Sequence, residues 1–160
     1  MAASKHPEYQ YLDLLRDILK NGDKNYDRGT GVSSYGVFGR QIRFDLSDGF
    51  PLITTKKVYW KGVLHELYWF MSGNVNIKYL VDNNVHIWDD YPFKIFKIKN
   101  QKSKITKEEF IEKIKNDAKF AKEWGNLPRI YGEMWRRWPT RSGRTIDQLS
   151  FIIDELNADP

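Results

Sequence analysis

The sequence predicts a mixed α/β (α+β) chain on three observations: apolar residues recur at helical spacing in several segments, one segment alternates apolar and polar residues, and glycine-containing turns separate them. Hydrophobic residues make up 41% and charged residues 29% of the 160, a balance that supports a packed core and excludes a disordered chain. The length suits one compact domain.

Residues 1–7 are polar and expected to form a flexible tail, leaving 8–160 as the domain. Tyr9, Leu12, Leu15, Ile18 and Leu19 then mark an amphipathic helix, with Asn21-Gly22 as a stop where positive φ is cheap. Asp27 to Ser34 is rich in glycine and hydroxyl groups and poor in large apolar ones, so it reads as a shaped loop. Between Tyr35 and Leu46 the apolar residues alternate with Arg43 and Asp45, which predicts a strand closed by Asp48-Gly49. Phe50 to Thr55 reads as a shorter extended piece, with Thr55 able to cap the next helix.

That helix, about Trp60 to Met71, is apolar around much of its circumference and should be central. It carries one informative residue, Glu66, because a carboxylate in a dry interior needs a proton or hydrogen-bond donors. Ser72-Gly73 ends the helix, and Ile77, Leu80 and Val81 give the apolar side of a short one after it. Val85 to Pro92 mixes aromatic and polar residues in the manner of a pocket wall. Residues 94–126 read as a peripheral excursion containing a charged helix near Lys107 to Trp124. Arg141 to Arg144 is a turn, and Thr145 is placed to cap a last helix that includes Ile146, Leu149, Ile152, Ile153 and Leu156.

Charge and composition narrow the chemistry. The 26 basic and 21 acidic residues leave +5, and six lysines between Lys94 and Lys107 account for that excess. Their confinement to one segment disfavours nucleic-acid binding over the whole surface. With no cysteine, the chain has no disulfide, thiolate metal site or cysteine nucleophile of its own, and three histidines without a ligand motif predict no metal. No run approaches the roughly 18 apolar residues of a membrane span, and no secretory segment opens the chain, so a cytoplasmic location is expected. The glycines lack the context of a nucleotide fingerprint. What remains is Arg28 in a glycine loop, which is either a solvated residue or an anion ligand, Glu66, which is either a site carboxylate or one at the surface or in a structural ion pair, and Trp88 with Tyr91, which are either core or rim aromatics or platforms for a ligand.

Five motifs then carry a resemblance. Asp27-Arg28-Gly29-Thr30-Gly31, the stretch Asp48 to Lys57, His65-Glu66-Leu67-Tyr68-Trp69-Phe70, the stretch Asn83 to Asp89, and Ile130-Tyr131-Gly132 are similar, in order, to the N-terminal part of the folate-dependent thymidylate synthases that use a cysteine nucleophile. The resemblance covers nearly the whole chain outside the tail and 94–126, where some members carry a helical insertion. It implies an incomplete thymidylate synthase-like fold and, for the parent protein, a homodimeric methyltransferase. That enzyme converts dUMP and 5,10-methylenetetrahydrofolate to dTMP and dihydrofolate.

By the same resemblance Arg28 binds the nucleotide phosphate, and Glu66 and Tyr131 organise proton transfers at the pyrimidine. Ile87, Trp88 and Tyr91 fall in the folate segment, and Lys56 lies near the polyglutamyl tail. The family commonly has tryptophan at the position of Tyr91, and a Gly-Pro pair where this chain has Leu127-Pro128-Arg129. The family nucleophile belongs to the C-terminal half, so this chain alone is expected to be inactive. The alternatives are a deoxypyrimidine monophosphate hydroxymethylase on the same scaffold, or a non-catalytic split subunit that binds a complementary C-terminal chain.

Overall fold

The computed structural model describes residues 6–159. Of the expected tail, residues 1–5 lie outside the described residues, as does Pro160. The described chain falls into two compact units with the boundary after Val58.

In the first unit, α1 spans Tyr9–Asn21 and stops at Gly22. The stop was expected there, but Gly22 has φ −76°, so its role is not positive φ. A Cβ on Gly22 would lie 2.4 Å from the Ile18 carbonyl oxygen, which shows that close approach is what requires glycine. Strands β1 (Asp23–Asp27) and β2 (Val32–Gly36) form an antiparallel hairpin, pairing Asp23 with Gly36 and Asp27 with Val32.

The expected loop at Asp27–Ser34 is therefore a tighter turn followed by strand, and the expected strand at Tyr35–Leu46 is corrected to an earlier one. Residues 37–45 form neither helix nor strand, with a bend at Phe38 and φ +64° at Gly39. Their alternation lacks a neighbouring strand, and side chains of α1 take its place. Gln10 exchanges two hydrogen bonds with the Arg43 backbone, at 2.5 and 3.0 Å, and Arg40 Nε donates to Asp17 at 2.6 Å. A 3-10 turn at Leu46–Asp48 follows, with Asp45 accepting from the Ser47 backbone.

The second unit is helical. It contains α2 (Trp60–Met71), α3 (Lys78–Asp82), α4 (Asp90–Lys99), α5 (Lys107–Asn116), α6 (Ala118–Trp124), α7 (Tyr131–Arg136) and α8 (Gln148–Ala158). A two-residue hairpin, β3 (Trp138–Pro139) with β4 (Thr145–Ile146), separates the last two helices. Two capping expectations are corrected. The residue before α2 is Tyr59 with no side-chain cap, and Asp147, not Thr145, caps α8 by accepting from the Ser150 backbone. Thr145 and Ile146 are held in β4 instead.

Helix α2 buries Trp69 and Phe70 but leaves Val63, Leu67, Tyr68 and Met71 exposed, so it is central on one face only. In the segment 94–126, expected as an excursion with one helix near Lys107 to Trp124, that helix is two, α5 and α6, and the segment begins within α4. Asp117 ends α5 and caps α6 by accepting from the Lys119 and Phe120 backbones. Thr106 and Glu109 form a capping box at the start of α5. Phe96, Phe110, Ile114 and Ala121 from this segment are buried in the same cluster as Trp69, Ile77 and Leu80. Asn76 latches it, donating to the Ala121 carbonyl at 2.7 Å and to Asn126 at 2.8 Å.

Candidate functional site

Glu66 and Phe70 are four residues apart on α2 and share a face. Phe70 is buried and Glu66 is half-buried, so the carboxylate expected in the interior or at the surface lies between the two, at the edge of the core. Its donor comes from the turn between α3 and α4, where Trp88 Nε1–H donates to Glu66 Oε1 at 2.6 Å. The Trp88 ring packs against Trp69 at 5.8 Å and against Phe70 edge-on at 6.0 Å. Tyr91, the second residue of α4, faces Trp88 at 5.3 Å with the ring planes 37° apart.

Tyr131 opens α7 and meets Phe70 at 5.1 Å, so Phe70 joins the Trp88 side of the site to the Tyr131 side. Gly132 permits this packing of α7 on α2, since a Cβ there would stand 3.0 Å from the Phe70 carbonyl oxygen. Four of the expected residues, Glu66, Trp88, Tyr91 and Tyr131, are thus brought to one aromatic ledge with a single carboxylate. Tyr91 and Tyr131 are each 57% exposed, which leaves their ring faces available to a ligand. Ile87 is exposed beside Trp88 in sequence and makes no part of the core cluster.

Sequence reasoning missed Asp89. It is fully buried next to Trp88, lies 2.7 Å from His86 Nδ1, and its other oxygen has no hydrogen-bond partner among the described residues. Burial pushes the Asp89 carboxyl above its ordinary value, opposed by the hydrogen bond and charge of His86. His86 Nε2 in turn lies 3.0 Å from Asn84 Oδ1, and Asn84 has φ +56°. This short network fixes the turn from which Trp88 projects.

Arg28 and Lys56 belong to the first unit. Arg28 is exposed in the hairpin turn between β1 and β2. Asp27 shapes that turn by accepting from Thr30 Oγ1 and the Gly29 backbone, both at 2.7 Å, and these bonds hold its carboxyl below the ordinary value. Gly31 completes the turn with φ +73°.

Lys56 is exposed and follows Thr54 and Thr55, whose backbone N–H and hydroxyl groups all donate to Glu8 at 2.6 to 2.9 Å. The expectation that Thr55 caps α2 is thereby replaced. Glu8 gave no local signal, because an acid before a helix looks like an ordinary first-turn residue. A cavity of about 520 Å³ adjoins it, lined in part by Tyr11, Phe44, Phe50 and Leu52, and none of the expected site residues lines it.

Among the described residues no group of three or more His, Cys, Asp or Glu is arranged to hold a metal, and no helix is long and apolar enough to cross a membrane.

The profile of the family described as thymidylate synthase matches residues 9–160. A thymidylate synthase of Rhodopseudomonas palustris (strain BisA53) is 45% identical over 157 residues, covering 98% of this chain and 52% of that protein. One from Sinorhizobium fredii is 44% identical with 98% and 51% covered, and one from Mycoplasma pneumoniae is 46% identical with 94% and 50% covered. The chain spans about half the length of the curated relatives it matches. On this agreement along nearly its whole length, the chain belongs to the thymidylate synthase family.

Proposed function

We propose that the protein containing this chain is a thymidylate synthase, a cytoplasmic homodimeric methyltransferase that makes dTMP from dUMP and releases dihydrofolate, and that this chain is its N-terminal portion. The observation that carries the reading is the Trp88 to Glu66 hydrogen bond on an otherwise apolar ledge. A flat ligand held there finds aromatic faces and one polar group at a defined point.

The donor set suits a pteridine: Trp88 and Tyr91 offer ring faces at the rim, and their packing excludes water from one side. When bound, 5,10-methylenetetrahydrofolate supplies the one-carbon unit and the hydride equivalent that reduces it to a methyl. Glu66, with one oxygen held by Trp88, keeps the other for a water or a pyrimidine group and holds or passes a proton there. Tyr131, exposed and packed edge-on against Phe70, uses its hydroxyl to orient the water that receives the C5 proton of dUMP. Arg28 presents its planar fork to the nucleotide phosphate, and Lys56 presents a point charge to the polyglutamyl tail of the folate. Ile87 adds apolar contact beside Trp88.

The chain has no thiol to add at C6 of the pyrimidine, so turnover requires the remaining half of the protein. The exposed apolar residues of α8, Phe151, Ile152, Ile153 and Leu156, support a second reading in which the 160-residue chain binds a complementary chain.

The test is product analysis of the full-length protein with dUMP and methylenetetrahydrofolate. Equal amounts of dTMP and dihydrofolate support the synthase. A hydroxymethylated nucleotide without dihydrofolate would move the assignment to a hydroxymethylase. The isolated chain is expected to give no product until the missing half is added.

A further inference from the structure

The Glu8 carboxylate accepts four hydrogen bonds from two consecutive residues 46 and 47 positions away: Thr54 N and Oγ1 at 2.8 and 2.6 Å, Thr55 N and Oγ1 at 2.9 and 2.7 Å. Residues 49–59 contain no helix or strand, and the bend at Thr55 and Lys56 has no ladder to hold it. Among the described residues, these four bonds are the hydrogen bonds made by 53–58. Glu8 is 8% exposed, so water competes poorly for its oxygens. It also immediately precedes α1, a rigid element from which to anchor a loop.

We infer that Glu8 is a positioning residue, one that holds the Thr54–Thr55 backbone so that Lys56 is presented to an anionic ligand tail. The inference rests on the proposed role of Lys56. A lysine on a flexible loop loses loop entropy as well as side-chain entropy when it pairs with an anion; a lysine on a clamped bend loses only the latter. The clamp acts on the backbone next to Lys56 and leaves its ammonium group untouched. Weakening it should lower affinity for a ligand that reaches Lys56 and leave other ligands alone.

The experiment uses the full-length protein and equilibrium binding of two probes, folic acid and its tetraglutamate, with kcat and KM measured alongside. Glu8→Gln, which keeps shape but replaces one acceptor oxygen by a donor, is expected to lower tetraglutamate affinity about fivefold to tenfold. Binding of folic acid and kcat should stay within about twofold. Lys56→Ala should lower tetraglutamate affinity more than folic acid affinity. In the Lys56→Ala background, Glu8→Gln should cost nothing further, because a residue that acts through another has no effect once that other is gone.

If Glu8→Gln does not fold, Thr55→Val removes one hydroxyl donor and carries the same comparison with a smaller loss. A selective loss in Lys56→Ala but none in Glu8→Gln or Thr55→Val overturns the clamp while leaving the role of Lys56 standing. No loss in Lys56→Ala overturns both. Equal losses for the two probes, or a full loss from Glu8→Gln in the Lys56→Ala background, would make Glu8 purely structural and overturn the inference.

Discussion

Replacing Trp88 with phenylalanine removes the indole N–H that reaches Glu66 Oε1 at 2.6 Å and keeps an aromatic ring against Trp69, Phe70 and Tyr91. A hydrogen bond to a charged group is worth about 1.5–3 kcal/mol, and because Trp88 and Glu66 are only partly buried, the lower end applies. About 1.5 kcal/mol corresponds to roughly tenfold in kcat/KM if the orientation of Glu66 matters in the transition state. The loss should fall on kcat, since the ring that contacts the folate remains. Trp88→Leu removes the ring as well and should raise KM for methylenetetrahydrofolate in addition. The assay is steady-state dihydrofolate formation by the full-length protein, with thermal unfolding to show that both variants fold. A Trp88→Phe variant with unchanged kcat/KM beside an impaired Trp88→Leu variant would refute the reasoning, leaving Trp88 as an apolar wall with no hold on Glu66.

Phe110→Ala should destabilise the protein by about 3–5 kcal/mol in urea unfolding, because Phe110 is fully buried among Phe93, Phe96 and Phe120. A cost below about 1 kcal/mol would make the 94–126 segment energetically peripheral after all. Gly73→Ala should cost about 1–2 kcal/mol, since Gly73 has φ +70° and a Cβ would stand 3.0 Å from Arg136 Cβ and Arg137 Nη1; Gly73→Asn should cost less at this left-handed position, and equal melting temperatures for both would count against backbone strain.

Acid unfolding should also depend on Glu8. The hydrogen bond from the Thr54 hydroxyl, followed by those from Thr55, holds its carboxyl at about 2 against an ordinary 4.5. The stability it contributes is complete above pH 4.5 and is lost as the pH falls from there toward 2. Glu8→Gln should flatten that part of the profile, and a profile that superimposes on the parent would rule Glu8 out as its source.

Helices α1 and α2 were legible almost to the residue. Their apolar spacing and the Asn21-Gly22 and Ser72-Gly73 stops are local features, and a helix closes its hydrogen bonds within itself. The strand expected at Tyr35–Leu46 was not legible in the same way. Alternation announces an extended backbone but does not name the partner, and Arg43 found the Gln10 side chain where a strand was expected. The same gap left Trp88 and Tyr91 as residues that sequence alone read as either structural aromatics or platforms for a ligand. Only packing around Phe70 gathered Trp88 and Tyr131 on one ledge.

The sequence by itself determined the spans of α1 and α2, the lack of any thiol, and the ordered motifs that mark the thymidylate synthase family, because each depends on residue identity or on spacing within a few turns. The tertiary structure alone decided that Glu66 sits at the edge of the core with Trp88 as its donor, that Asp89 is buried with one oxygen unpartnered, that Phe110 is interior, and that Glu8 clamps Thr54 and Thr55. The reason is physical: burial and long-range hydrogen bonds belong to pairs of segments brought together by the whole fold, and neither member of such a pair carries the identity of the other.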